Sequence, residues 1–130
     1  MKIRLGIAIY LCSVLAAQAD PVEGLWKTKP DDNGNYGHVL IQPCGPAFCG
    51  VLYRSFAADG SEKPSENIGK QIVWDMAAEG DGAYGGGKIW SPDRDKTYSG
   101  KMQLTGNGGL AVSGCVLGIC RDGGTWTRVK

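Results

Sequence analysis

The chain has 130 residues, a formal net charge of +1, 42% hydrophobic residues and 21 glycines. That length supports one domain around one core. A near-zero balance with interleaved signs, as in Asp93-Arg94-Asp95-Lys96, excludes the basic face that a nucleic-acid binder carries.

At the start of the chain Lys2 and Arg4 precede an apolar stretch, residues 5–17, that ends in Ala17-Gln18-Ala19. This is the pattern of an export signal with a small-residue cleavage site. It predicts removal of residues 1–19 and a mature chain, residues 20–130, that starts at Asp20 and lacks a transmembrane anchor. The apolar stretch is shorter than the roughly 20 residues a membrane-spanning helix needs. Cys12 lies inside it behind the bulky Leu11, so it is not read as a lipid-bearing cysteine. Loss of Lys2 and Arg4 takes the formal charge from +1 to −1. The expected location is the periplasm or the medium, which such a signal serves alike.

Beyond Asp20 the chain reads as eight short strands, approximately residues 23–29, 36–43, 48–55, 70–76, 85–91, 97–105, 109–116 and 124–130. Asn33-Gly34, Asp81-Gly82, Asn107-Gly108 and Asp122-Gly123 are dipeptides that tolerate positive φ in tight turns. Period-two alternation is clearest in residues 97–104, where Tyr98, Gly100, Met102 and Leu104 share one face. The same count puts Ile72, Trp74 and Met76 on one side of the fourth strand. In the run Gly85-Gly86-Gly87, a strand glycine marks a bend or a close neighbour, and Trp74 is the expected neighbour. Helix has little room; the best candidate is one turn near residues 64–69. The segment 57–69 is the expected mobile lid.

Four cysteines remain in the mature chain, as Cys44-x4-Cys49 and Cys115-x4-Cys120. An even number in an exported chain reads as two disulfides, for which three connectivities exist. The pairing favoured by the spacing is Cys44 with Cys49 and Cys115 with Cys120, each closing a hairpin turn bent at Gly45-Pro46 or Gly118. A zinc site would suit such pairs in a reducing compartment, and a redox role would call for a Cys-x-x-Cys on a helix N-terminus.

Eight sequential antiparallel strands escape exposed edges by closing into a barrel, whose interior holds packed side chains or one small ligand. The chain ends support closure. Gly24-Leu25-Trp26 opens the first strand and Gly124-Thr125-Trp126-Thr127-Arg128 closes the last. Paired side by side, they would set the Arg128 guanidinium on the Trp26 indole as a cation–π cap. Gly24, Trp26, Trp126 and Arg128 are therefore assigned to barrel closure.

Gly24-x-Trp26 with a late arginine resembles the calycin, or lipocalin-like, signature. More fully, the mature chain resembles an uncharacterised bacterial exported family, domain of unknown function 2147. The resemblance rests on Gly24-x-Trp26, Cys44 with Cys49-Gly50, Gly86-Gly87-Lys88-Ile89-Trp90-Ser91-Pro92, Lys96-Thr97-Tyr98, Leu110-x-Val112-x-Gly114-Cys115, Cys120-Arg121 and Trp126-Thr127-Arg128. Two departures alter one loop: Trp90-Ser91-Pro92 replaces an Ile-Tyr-Asp-Pro-like run, and Arg94-Asp95 replaces a glycine-containing turn. The resemblance implies an all-β, up-and-down antiparallel barrel of lipocalin type and supplies no established activity.

The catalytic inventory is thin. His38 is the one histidine, on a strand where packing is the ordinary role. There is no Gly-x-Ser-x-Gly elbow or His-Glu-x-x-His pair. Asp93 and Asp95 sit among Arg94 and Lys96 as an ion-laced turn. Gly80-x-Gly82-x-x-Gly85 enters a strand and follows no βα unit, so it reads as a hairpin. Asp31-Asp32-Asn33-Gly34-Asn35 lacks the sixth-position glycine and twelfth-position glutamate of a calcium loop. The expectation is therefore a non-enzymatic protein with no cofactor and no metal. Binding is what remains: Tyr53, Trp74, Trp90 and Tyr98 are the candidates to line a pocket for a small apolar or amphipathic guest. The alternative is a filled barrel that docks on an envelope protein, for example as an inhibitor, through residues 30–35, 56–69 and 91–96.

Overall fold

The computed structural model describes residues 19–130; the predicted export signal lies outside the described residues except for Ala19. Eight strands follow in order: β1 Gly24–Lys27, β2 Tyr36–Cys44, β3 Ala47–Phe56, β4 Gln71–Gly80, β5 Ala83–Ser91, β6 Lys96–Leu104, β7 Gly109–Val116 and β8 Ile119–Arg128. Each pairs antiparallel with the next, and β8 returns to β1, giving a closed barrel. No helix occurs among the described residues. Residues 65–70 form successive turns instead of the expected helical turn, with Lys70 N–H donating to the Asn67 carbonyl at 3.0 Å.

The seam is short and braced by side chains. Trp26 faces Arg128 and Lys27 faces Thr127 across it. The Arg128 guanidinium lies 4.3 Å from the centre of the Trp26 ring, and donates to the carbonyls of Glu23 at 2.9 Å and of Pro21. Trp26 is fully buried and its indole N–H donates to the Val22 carbonyl at 2.9 Å. Gly24 sits at φ +131°, where a Cβ would lie 2.4 Å from the Lys130 carbonyl oxygen. Only glycine fits there, because both the conformation and the space exclude a side chain.

One end of the cylinder is a packed floor. Val22, Trp26, Met76, Tyr84, Met102 and Leu110 are buried in a continuous cluster, and Phe48 meets Tyr84 edge-on at 5.7 Å between ring centres. Tyr84 also donates its hydroxyl to the Asp20 carboxylate. Burial and that partner push the phenol's pKa well above the usual 10. Burying side chains of this size contributes about 1.5–3 kcal/mol each, so the floor carries much of the folding energy.

Among the register shifts of the barrel, those in β3, β4 and β8 bear on the sequence expectations. In β3, Val39 faces Leu52 while His38 faces Arg54, leaving Tyr53 as an extra residue that turns outward. In β4, Ile72 is inserted between the partners of Val51 and Gly50, and Asp75 adopts φ 55°. Ile72, Val73 and Met76 consequently all face the core, whereas Trp74 pairs with exposed Lys88 on the outside. The close neighbour of Gly87 is accordingly backbone: a Cβ there would lie 2.3 Å from the Trp74 carbonyl oxygen. In β8, Asp122-Gly123 is not a hairpin turn: Asp122 pairs with Ser113, Gly123 and Gly124 together oppose Val112 as a bulge, and the strand begins at Ile119 instead of near residue 124. Such insertions of one residue flip the facing of everything beyond them.

Both disulfides close hairpins. Cys44 is bonded to Cys49 across the β2–β3 turn and Cys115 to Cys120 across the β7–β8 turn. Segment 57–69 is tied to β3 rather than loose: Lys63 N–H donates to the Ser55 carbonyl at 2.8 Å and Gly69 N–H to the Leu52 carbonyl at 2.8 Å.

Candidate functional site

The end of the barrel opposite the floor is hollow. Loops 28–35, 57–70 and 92–95 surround the mouth of a cavity of about 540 Å³, within the range of small-molecule sites. Its lower wall is apolar, formed by Val39, Leu52, Ile72, Ile89, Val112 and Trp126. The hollow exists because the inner rows change character along the strands. Large residues fill the floor, whereas Gly37, Gly114 and Gly123 replace side chains at the mouth.

The four predicted lining residues divide. Tyr98 is inward on β6 and lines the cavity, with its ring laid over Gly114, whose Cβ would lie 3.1 Å from the Tyr98 Cγ. Trp90 stands half-buried at the rim, its indole N–H donating to Asp95 at 3.0 Å and Lys70 lying 5.6 Å over its ring. Tyr53 and Trp74 do not belong to the cavity. Tyr53 is 45% exposed on the outer wall, beside Arg54, Glu62 and Ile68 in a shallow external groove, and Trp74 is turned out by the β4 irregularities. A strict period of two put Trp74 on the face of Ile72 and Met76, and the register shifts of β4 separate them; Tyr53 follows buried Leu52 and is outward already by alternation.

The sequence reading missed Arg121, Leu52 and Ile72, all of which line the cavity. Arg121 is placed by the strand register: Gly100 faces Gly114, and Gly114 faces Arg121. Gly100 is buried beside Met76 and Ile89, so this row is the inner one. Trp126, assigned to closure, is buried and also contributes to the cavity wall.

His38 lies on the outer face of β2, packed 4.5 Å from the Phe56 ring, itself stacked on Tyr36 at 5.1 Å. Lys27 rides over Tyr36 at 4.3 Å. Desolvation, then the charges of Lys27 and Arg54, hold the imidazole below its usual pKa of 6.5.

Residues 24–128 match a family described as "Uncharacterized protein conserved in bacteria (DUF2147)". The chain belongs to this family. DUF2147 thus accounts for nearly all of the barrel, from the first strand to the last. A search of curated proteins finds no match. Among solved structures, the DUF2147 barrel is similar to one described as "Protein HP1028 from the human pathogen Helicobacter pylori belongs to the lipocalin family". The two are 19% identical, with 83% of this chain and 82% of that one covered, at a TM-score of 0.63. At that identity the likeness concerns the fold, which is the lipocalin-like barrel the chain ends announce.

Proposed function

We propose that the protein is an exported, non-enzymatic barrel that binds a small apolar or amphipathic molecule in the cavity at its mouth. The observation that carries this reading is the hollow upper half, about 540 Å³ with an apolar lower wall. A filled interior was the premise of the alternative, a rigid module docking on an envelope protein, and the hollow favours the ligand reading. The external position of His38 supports a non-enzymatic role, since the one histidine of the chain does not face the cavity. Two disulfides fit an oxidising compartment, where such bonds persist.

Titration with N-phenyl-1-naphthylamine, a neutral fluorescent probe, tests the proposal. Binding should be saturable at one site and should be lost when Leu52→Trp fills the cavity. Absence of saturable binding by the native protein, or undiminished binding by a folded Leu52→Trp variant, rules the proposal out.

A further inference from the structure

We infer that the guest carries an oxyanion head group, a carboxylate or a phosphate, which Arg121 receives at the mouth while its apolar tail occupies the lower cavity. This rests on the cavity reading above and adds the chemical class of the ligand. Three observations carry it.

The first is position. Arg121 faces Gly114 across the β7–β8 pair, and Gly114 is the residue over which the Tyr98 ring lies. Because Gly114 has no side chain, it leaves room between a guanidinium on one neighbouring strand and a phenol on the other. Both line the cavity.

The second is the state of the charges around the mouth. Asp31, Asp93 and Asp122 also line it; the carboxylates of Asp31 and Asp122 serve their own backbones, whereas that of Asp93 is adjacent in sequence to Arg94. Asp31 Oδ1 accepts from the N–H groups of Asn33 and Asn35, each at 2.9 Å, and Asp122 Oδ1 accepts from Gly124 N–H at 2.7 Å. Among the described residues the ion pair found is Arg54 with Glu62, on the outer wall. Arg121 therefore keeps its planar fork of donors for a solute, the geometry that matches a carboxylate or phosphate with two parallel hydrogen bonds. Lys29, Lys63 and Arg94 also line the mouth, so with Arg121 four cations stand against three carboxylates there.

The third is the gradient of polarity. Leu52, Ile72, Ile89 and Val112 lie below this charged rim, so a molecule with one ionised end and one apolar end meets a matching environment at both. An exposed arginine stays hydrated while the cavity is empty, so holding it there costs little. Its pairing with a guest at the wet rim is correspondingly modest and salt-sensitive.

The test is displacement of N-phenyl-1-naphthylamine from the oxidised mature protein by dodecanoate, dodecyl phosphate and dodecanol, in low and high salt. At least one of the two anions should displace the probe at about tenfold lower concentration than dodecanol, and the stronger of the two identifies the head group. With each competitor's potency taken relative to dodecanol on the same variant, Arg121→Gln should abolish that advantage and Arg121→Lys should restore part of it. Equal potency of anions and alcohol, or an advantage that survives in Arg121→Gln, overturns the inference and leaves the cavity reading standing. Failure of the neutral probe to bind the native protein overturns both.

Discussion

The Arg128 guanidinium rests 4.3 Å from the centre of the Trp26 indole, and the same side chain ties down the carbonyls of Pro21 and Glu23. One residue thus joins the last strand to the first strand and to the segment that plugs the floor. Arg128→Ala should destabilise the fold by about 2 kcal/mol through loss of the cation–π contact and charge-assisted hydrogen bonds. Arg128→Lys should recover less than half, because a point charge lacks the planar fork. Urea unfolding monitored by tryptophan fluorescence measures both.

Gly87 sets a second limit. A Cβ there would meet the carbonyl oxygen of Trp74 at 2.3 Å and the carbonyl carbon of Asp75 at 2.7 Å. Neither is the end of a flexible side chain, so Gly87→Ala must push β4 and β5 apart. The expected cost is about 2–3 kcal/mol. Gly100→Ala meets side-chain atoms only, the Met76 Cε at 2.1 Å and the Ile89 Cγ1 and Cδ1 at 2.6 and 2.9 Å, which give way more readily than backbone, and should cost less. Comparison of the two melting temperatures decides whether backbone crowding is the cause.

Leu117 occupies the β7–β8 turn at φ 52° and is 97% exposed. A left-handed backbone costs a residue with a branched apolar side chain roughly 1–2 kcal/mol, and this side chain gains no packing in return. Leu117→Asn should therefore stabilise the protein by about 1 kcal/mol. A thermal melt of the oxidised protein that is unchanged or lowered would contradict this.

His38 makes stability depend on pH. Its folded-state pKa lies below the usual 6.5, so the unfolded chain takes up the proton first as the pH falls. The stability tied to the neutral imidazole is present above pH 6.5 and is lost progressively from there toward the lowered folded value. His38→Phe keeps the stack on Phe56 and removes this component. The difference in urea midpoint between the variant and the native protein should grow in the variant's favour from pH 7.5 to pH 5.

Each disulfide closes a short loop, with a sequence separation of 5. Replacing either pair by serine should cost about 2 kcal/mol by the chain-entropy relation. The Cys115–Cys120 pair lies next to Gly114 and Arg121 at the mouth, so its loss should also weaken probe binding. Loss of Cys44–Cys49, at the opposite end, should leave binding unchanged at temperatures where the protein is folded.

The closure of the barrel was legible because it is written in local pieces: Gly24-x-Trp26 at one end, Trp126-x-Arg128 at the other, and glycine-bearing turns between alternating strands. The cysteine pairs were legible for the same reason, since each bond spans a single hairpin. The composition of the cavity was less so. Facing along a strand is counted from residue to residue, and one inserted residue inverts every assignment after it. Trp74 was counted onto the face of Ile72 and Met76, and the register shifts of β4 put it on the outer wall. Arg121 was hidden differently, because Asp122-Gly123 resembles a hairpin turn but lies inside β8, where Gly123 and Gly124 form a bulge opposite Val112. Only the strand register, which depends on contacts between distant segments, shows that Arg121 faces inward.

The backbone N–H of Leu25 donates to the carbonyl of Lys130 at 3.0 Å, so the tail of the described chain returns to within one hydrogen bond of its first strand, beneath the floor. A genetic fusion placed after residue 130 would hang from the sealed pole and leave the opposite aperture clear. The same adjacency suits circular permutation: a short peptide can bridge residues 130 and 20, and new ends can be cut in the solvent-facing stretch around residues 58–60.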